Sequence, residues 1–247
     1  MRLAEATWTD VRDADADLAV LPVGSTEQHG PHAPLGTDAF HAEDVATAGA
    51  TRYDAPVVVA PTVPVGVSAE HRSFDGTLWV SPDTLRAYVR ETVASLAAHG
   101  LDRVVVVNGH GGNVAALREA TAGLTRDGTA YAVPFTWFDA VDPEDLAGEP
   151  VAMGHGGPVE TALLRHTRPD LVREERTAAA AADAADGWGE WVAGVNLAYD
   201  TDEFSENGVV GDPDAGDAAL GDALHEAAAA ALASVLGAVA ERDADAG

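Results

Sequence analysis

The 247-residue sequence predicts one α/β domain, with a mostly parallel sheet and helices on both of its faces. Three observations lead there. Short Val-rich runs alternate with helix-forming segments, as repeated strand–helix–strand units require. The run RVVVV (103–107) shows no polar–apolar alternation, so that strand must be buried on both faces, the condition of a parallel strand. The length suffices for one sizeable core, and there is no internal repeat and no clear linker.

Taken in order, LAVLPV (18–23) reads as a buried strand and AFHAEDVATAGA (39–50) as a helix. PVVVAPTV (56–63) is a second Val-rich strand. SPDTLRAYVRETVASLAAHG (81–100) is a helix: Ser81 can cap its first turn, acids lie early, and Gly100 stops it. RVVVVNGH (103–110) is a strand, VAALREATAGLTRDG (114–128) the helix after it, and AYAVPF (130–135) the next strand. GPVETALLRH (157–166) and GDAALGDALHEAAAAALASVLGAVAE (216–241) are helices. The segment TAAAAADAADGWGEW (177–191) is low in complexity and fits a lid or a surface helix, so the role of residues 177–206 stays open. A C-terminal tail, about residues 242–247, is expected to be flexible.

Composition excludes several functions. There are 41 acidic residues, 14 arginines and no lysine, for a formal net charge of −27. Such a surface repels nucleic acid and anionic membranes, so neither is an expected partner. The acids are scattered along the chain, which fits adaptation to concentrated salt, where charge is screened over a few ångströms. No run of eighteen apolar residues predicts a membrane-spanning helix. The N-terminal MRLAEATWTDVRDADADLAV lacks a basic segment followed by an apolar one, so a cytoplasmic location is expected. With no cysteine, any metal must be held by His, Asp and Glu, a donor set suited to hydrolytic zinc, manganese or iron.

In parallel sheets, ligands bind at the carboxyl ends of the strands. Polar clusters recur at those ends. GSTEQHGPHAPLGTD (24–38) follows the first strand and carries Glu27, His29, His32 and Asp38. PVGVSAEHRSFDGTL (64–78) carries Ser68, Glu70 and His71. NGHGGN (108–113) continues RVVVV and carries His110, and GHGGPVE (154–160) joins His155 to Glu160. Singly each is weak, but the fold brings these ends together. His99, His166 and His225 read as ordinary surface or core histidines; His32 and His41 lean the same way, with His32 near enough to back a ligand.

These stretches, with GVVGDP (208–213), resemble the creatininase family of metal-dependent amidohydrolases over roughly residues 20–215. The resemblance implies a three-layer α/β/α fold, a centre of two divalent metal ions and a homohexamer. Carried over by position, Glu27 and His29 bind one metal each, Asp38 bridges the two, and His110 is a further ligand. In creatininase proper an acidic ligand comes two residues after that histidine, within HYEN. Here that place is Gly112, and Glu160 is the available substitute. Gly111 stands where creatininase has a tyrosine, which weakens creatinine as the substrate.

Three carboxylates and two imidazoles suit two divalent cations about 3.5–4 Å apart, which can activate a shared water and polarise a carbonyl. His155 is expected to shuttle the proton to the leaving nitrogen, since an imidazole titrates near neutrality. Ser68 and Glu70, with His71, Gly111 and Gly112, form the expected substrate surface. The implied reaction is hydrolysis of a non-peptide amide or formamide C–N bond. The family offers three alternatives: creatinine ring opening, deformylation of a formamidopyrimidine nucleotide in archaeal flavin and deazaflavin synthesis, and maturation of a redox peptide by a peptidase. Two other classes compete, an inactive metal-binding scaffold and a nucleotide-binding Rossmann protein. The intact ligand set argues against the first, and the lack of GxGxxG after the first strand argues against the second.

Overall fold

A computed structural model describes residues 1–242. Its centre is a four-stranded sheet in the order β2-β1-β3-β4, built from β1 (Leu18–Val23), β2 (Val58–Val59), β3 (Arg103–Asn108) and β4 (Tyr131–Thr136). Every pairing is parallel, with Leu18 opposite Arg103 and Val23 opposite Asn108 along the central pair. All six residues of β1, and Val104–Val107 of β3, are buried, which accounts for their unbroken apolar runs.

Two cores flank the sheet. On one face β-strand side chains such as Val20, Val105 and Val107 pack with α2 (Thr37–Arg52), α6 (Pro158–Thr167) and α8 (Ala218–Ala240). On the other face Leu21, Val104 and Val106 pack with α3 (Pro82–Ala97) and α4 (Val114–Arg126). The architecture is therefore helix–sheet–helix, as expected. Short helices α1 (Trp8–Asp13), α5 (Pro143–Ala147) and α7 (Glu174–Ala182) complete the helical set.

Ser81 caps α3 by accepting from the Thr84 amide at 3.2 Å, and Gly100, at φ +86°, turns the chain after it. The 56–63 run forms much less strand than expected. Only Val58 and Val59 pair as a strand with β1, and Val63 adds one isolated bridge to Val23. Pro56, Pro61 and Pro64 remove the backbone donors that a longer ladder needs. The low-complexity segment divides: its alanines form most of α7, and the rest runs into a hairpin of β5 (Trp191–Val192) and β6 (Val195–Asn196). Beyond Arg242 the expected flexible tail lies outside the described residues.

Helix α8 is long and apolar enough to meet the composition of a membrane span, with mean hydropathy 1.6. Asp222, His225 and Glu226 interrupt its apolar run, which is why the sequence shows no eighteen-residue stretch. Here Leu220, Leu224, Leu232 and Leu236 are buried in the core, the placement of a core helix.

Candidate metal centre

In this strand order the connections leaving β1 and β3 diverge, opening a crevice above their carboxyl ends. Helix α2 drops into it. A side chain on Gly24 would collide with the backbone of Ala39, and one on Gly109 with the carbonyl of Asp38. Glycine at both positions lets the first turn of α2 sit against the two strand ends and present Asp38 between them. Asp38 is acidic at a helix N-terminus, where the backbone dipole favours negative charge.

The two Asp38 oxygens face different partners. Oδ1 lies 3.0 Å from His29 Nε2, and Oδ2 lies 3.2 Å from His110 Nδ1. Glu27 Oε1 is 3.2 Å from His110 Nδ1, and Glu160 Oε2 is 3.8 Å from His29 Nε2. All five residues are buried. Glu27, Asp38 and His110 lie close enough to share one cation, as do His29, His155 and Glu160, and also Glu27, His71 and His155, while the contact of Asp38 Oδ1 with His29 links the first two groups. Glu160 occupies the first turn of α6, and its Oε2, the oxygen facing His29, accepts from the Gly156 amide at 2.6 Å.

Backbone carbonyls fix the ring orientations. His29 Nδ1 donates to the Glu27 carbonyl at 3.1 Å, so the Nε2 lone pair points at Asp38 and Glu160. His110 Nε2 donates to the Val67 carbonyl at 2.6 Å, which turns its Nδ1 lone pair toward Glu27 and Asp38. Such outer hydrogen bonds set the tautomer of metal-binding histidines. Both Glu27 carboxylate oxygens and Asp38 Oδ2 are buried without a hydrogen-bond partner. Buried carboxylate oxygens left unpaired are costly, so the site as built suits a cation.

Electrostatics agree. Burial opposes charge on His29, but Asp38 and Glu160 outweigh it and raise its pKa well above the ordinary imidazole value. On His110 burial is likewise outweighed, by Glu27 and Asp38. Burial resists ionisation of Asp38, yet His29 and His110 hold its carboxyl far below the usual carboxylate range. The raised imidazole pKa values let His29 and His110 hold protons that partly offset the buried carboxylates.

His155 closes the set. Its ring packs 4.3 Å from those of His29 and His71. Its Nε2 donates to the Gln28 carbonyl at 2.7 Å, so Nδ1 faces inward, 3.9 Å from Glu27 Oε1. Burial, and then the charge of His29, push its pKa down, which keeps it a neutral proton acceptor.

His71 takes a different role from the substrate contact the sequence suggests. The Gln28 side-chain amide donates to its Nδ1 at 2.8 Å and to the Gly208 carbonyl at 3.0 Å, while Gln28 Oε1 accepts from the Gly30 amide. The ring proton therefore sits on Nε2, which faces Glu27 Oε1 at 3.4 Å without hydrogen-bonding it. Its ring still forms part of a 390 Å³ cavity with Glu70, His110, Gly111, Gly112 and His155. Ser68, expected to touch substrate, is fully buried, bonded to the Ser25 hydroxyl, and lies outside that lining. Burial raises the Glu70 carboxyl pKa within the cavity.

The reading from sequence missed Gln28, Thr201, which meets His71 Nδ1 at 2.9 Å, and the apolar wall of Phe138, Met153 and Trp188. The Trp188 ring lies 5.9 Å from those of both His71 and His155, steeply inclined to each. The aromatic residues of GWGEW within an Ala/Asp-rich segment were the available signal. His32, bonded to Thr161, and His41, against Trp137, are buried outside the ligand sets, as expected.

A family model described as creatininase, creatinine amidohydrolase, matches residues 4–236. The mycofactocin precursor peptide peptidase of Mycobacterium ulcerans is 37% identical over 181 residues, 70% of this chain and 64% of that one. This chain thus spans just under two thirds of that relative. The creatinine amidohydrolase of Pseudomonas putida is 31% identical over 199 residues, covering 70% of this chain and 74% of that one. A solved creatininase variant in a Zn-Zn form superposes with TM-score 0.77 at 26% identity, over 95% of this chain and 96% of that one.

Proposed function

The chain belongs to the creatininase family, and from that premise we propose that it hydrolyses an amide C–N bond at a centre of two divalent cations held by Glu27, His29, Asp38, His110 and Glu160. One observation carries this reading: the buried Asp38 carboxylate spans two donor sets, one oxygen toward each. Bound zinc, manganese or iron would activate water at neutral pH and polarise the amide carbonyl. Glu27 and His110 define one pole of the centre, His29 and Glu160 the other. His71 Nε2 faces Glu27 at 3.4 Å on the far side of that pole. His155 Nδ1 is the inward-facing neutral acceptor that takes up a proton and returns it to the leaving nitrogen. Trp188, Phe138 and Met153 keep part of the cavity dry.

The lining favours a neutral or cationic amide. Among the described residues that line the cavity there is no arginine, and the nearby Arg72 is ion-paired with Asp200. That argues against the formamidopyrimidine nucleotide, whose phosphate calls for a cationic pocket. A peptide substrate is the second reading. A side chain on Gly111 would meet nothing within 4 Å, so the cleft is open where a tyrosine would narrow it, and the M. ulcerans relative is named for a peptide substrate. Assembly as a homohexamer, a cytoplasmic setting and adaptation to concentrated salt belong to the same proposal; the last is supported by 41 acids against 14 arginines.

The test is turnover of protein stripped of metal and then reloaded with zinc, manganese or iron. The panel comprises creatinine, small formamides, simple amides and short peptides. Metal-dependent release of amine from an amide or peptide is expected. Equal rates with and without metal would overturn the reading.

A further inference from the structure

The cavity beside the candidate metal centre has two kinds of wall. Trp188, Phe138 and Met153 form an apolar and aromatic side, and Glu70 contributes a carboxylate. Glu70 is not one of the residues grouped as a candidate ligand set. Its side chain is 24% exposed, and among the described residues its one ion-pair neighbour is His110 Nε2 at 3.8 Å. That nitrogen already donates to the Val67 carbonyl at 2.6 Å, so it offers Glu70 little. Arg72, two positions along, turns away to pair with Asp200. Glu70 therefore brings a largely uncompensated negative charge to the cavity.

Gly112 makes room for that carboxylate. A Cβ at position 112 would collide with the Val67 carbonyl oxygen and approach Glu70 Oε1 to 2.8 Å. The Val67 carbonyl and His110 Nε2, which that Cβ would approach to 2.5 Å, keep this position a bare Cα with the Glu70 carboxylate beside it.

A carboxylate beside aromatic and apolar side chains in one cavity favours a positively charged group by direct ion pairing. The formal charge of −27 adds a long-range preference of the same sign. We propose that Glu70 is a specificity-determining residue that receives an ammonium group on the substrate, and that the enzyme acts on amides carrying such a group near the scissile bond. This rests on the amidohydrolase reading above, and it narrows the substrate to amino-amides, including peptides with a free amino group.

The experiment separates the two readings by measuring binding without turnover. Zinc-loaded protein is titrated calorimetrically with tetramethylammonium, which cannot ligate a metal, and with tert-butanol as a neutral counterpart of similar size. Wild type is expected to prefer the cation by about tenfold or more, the scale of one partly buried charged contact. Glu70→Gln should abolish most of that preference, and Glu70→Asp should keep part of it. Zinc content, measured by elemental analysis, should be the same in all three proteins. A parallel comparison of an amino-acid amide with its N-acetyl derivative should show the same loss of selectivity in kcat/KM for Glu70→Gln. Equal binding of cation and alcohol by wild type overturns the proposal, as does a preference that survives Glu70→Gln. Loss of zinc in Glu70→Gln would instead make Glu70 a ligand and also overturn it. Selective binding without any amide turnover would count against the hydrolase reading alone.

Discussion

Replacing Asp38 by asparagine tests the shared-ligand geometry directly. The carboxylate is 1% exposed and addresses His29 through one oxygen and His110 through the other. Asparagine keeps the shape but loses the charge, and its amide nitrogen presents protons toward one of the two positions. Each donor set then loses one charged contact, worth roughly 1.5–3 kcal/mol. Two such losses amount to about 3–6 kcal/mol, a fall of about 10²–10⁴-fold in the affinity for a pair of ions. Glu160→Gln should behave differently. Glu160 belongs to the His29 side alone, so one ion should be lost while the Glu27–Asp38–His110 side retains the other. Stepwise zinc titration against a chromophoric chelator, with elemental analysis of the desalted protein, reads both outcomes. Expected stoichiometries are about two for wild type and one for Glu160→Gln, following the two-metal arrangement. For Asp38→Asn both ions should bind weakly. Asp38→Asn that keeps two ions within tenfold of wild-type affinity would refute the bridge, and Glu160→Gln that loses both would refute the division into two sets.

Two further outcomes follow from the same geometry. His155→Ala should retain its metals but lose about 10²–10⁴-fold in turnover, the usual contribution of a general acid–base group; full activity would exclude the shuttle, and loss of one metal would make His155 a ligand. His41 concerns stability: both ring nitrogens are buried without partners against Trp137, and burial, only partly offset by Glu160 and Asp38, lowers its pKa to about 4. A depressed histidine pKa means that the unfolded chain binds the proton more readily, so stability is present above pH 6.5 and is lost as pH falls toward 4. By linkage this costs about 2 kcal/mol at pH 5 relative to pH 8, and His41→Leu should remove that loss in urea unfolding curves. An identical pH 5 to pH 8 difference in the variant would refute the assignment.

Much of this protein is fixed by local pattern. The uninterrupted apolar runs at 18–23 and 104–107 lie in buried parallel strands because nothing polar in them could face water. Ser81 and Gly100 bound α3 through their own side-chain and backbone preferences. The ligand residue types, and their placement just after strands, are equally local, which is why Glu27, His29, Asp38, His110 and Glu160 stood out in the bare sequence. What the sequence left open depends on contacts between residues far apart in the chain. The convergence of these five side chains requires β1 and β3 in register, Val23 beside Asn108, and α2 seated on Gly24 and Gly109. His71 turns its Nε2 toward Glu27 because Gln28 and Thr201, 43 and 130 residues away, claim its Nδ1. Ser68 turns inward because Ser25 meets it across 43 residues. Trp188 reaches the cavity because its loop crosses over His71 and His155. A proton's position on a ring, or a side chain's choice between two neighbours, is decided by donors and acceptors that only packing brings within hydrogen-bond reach.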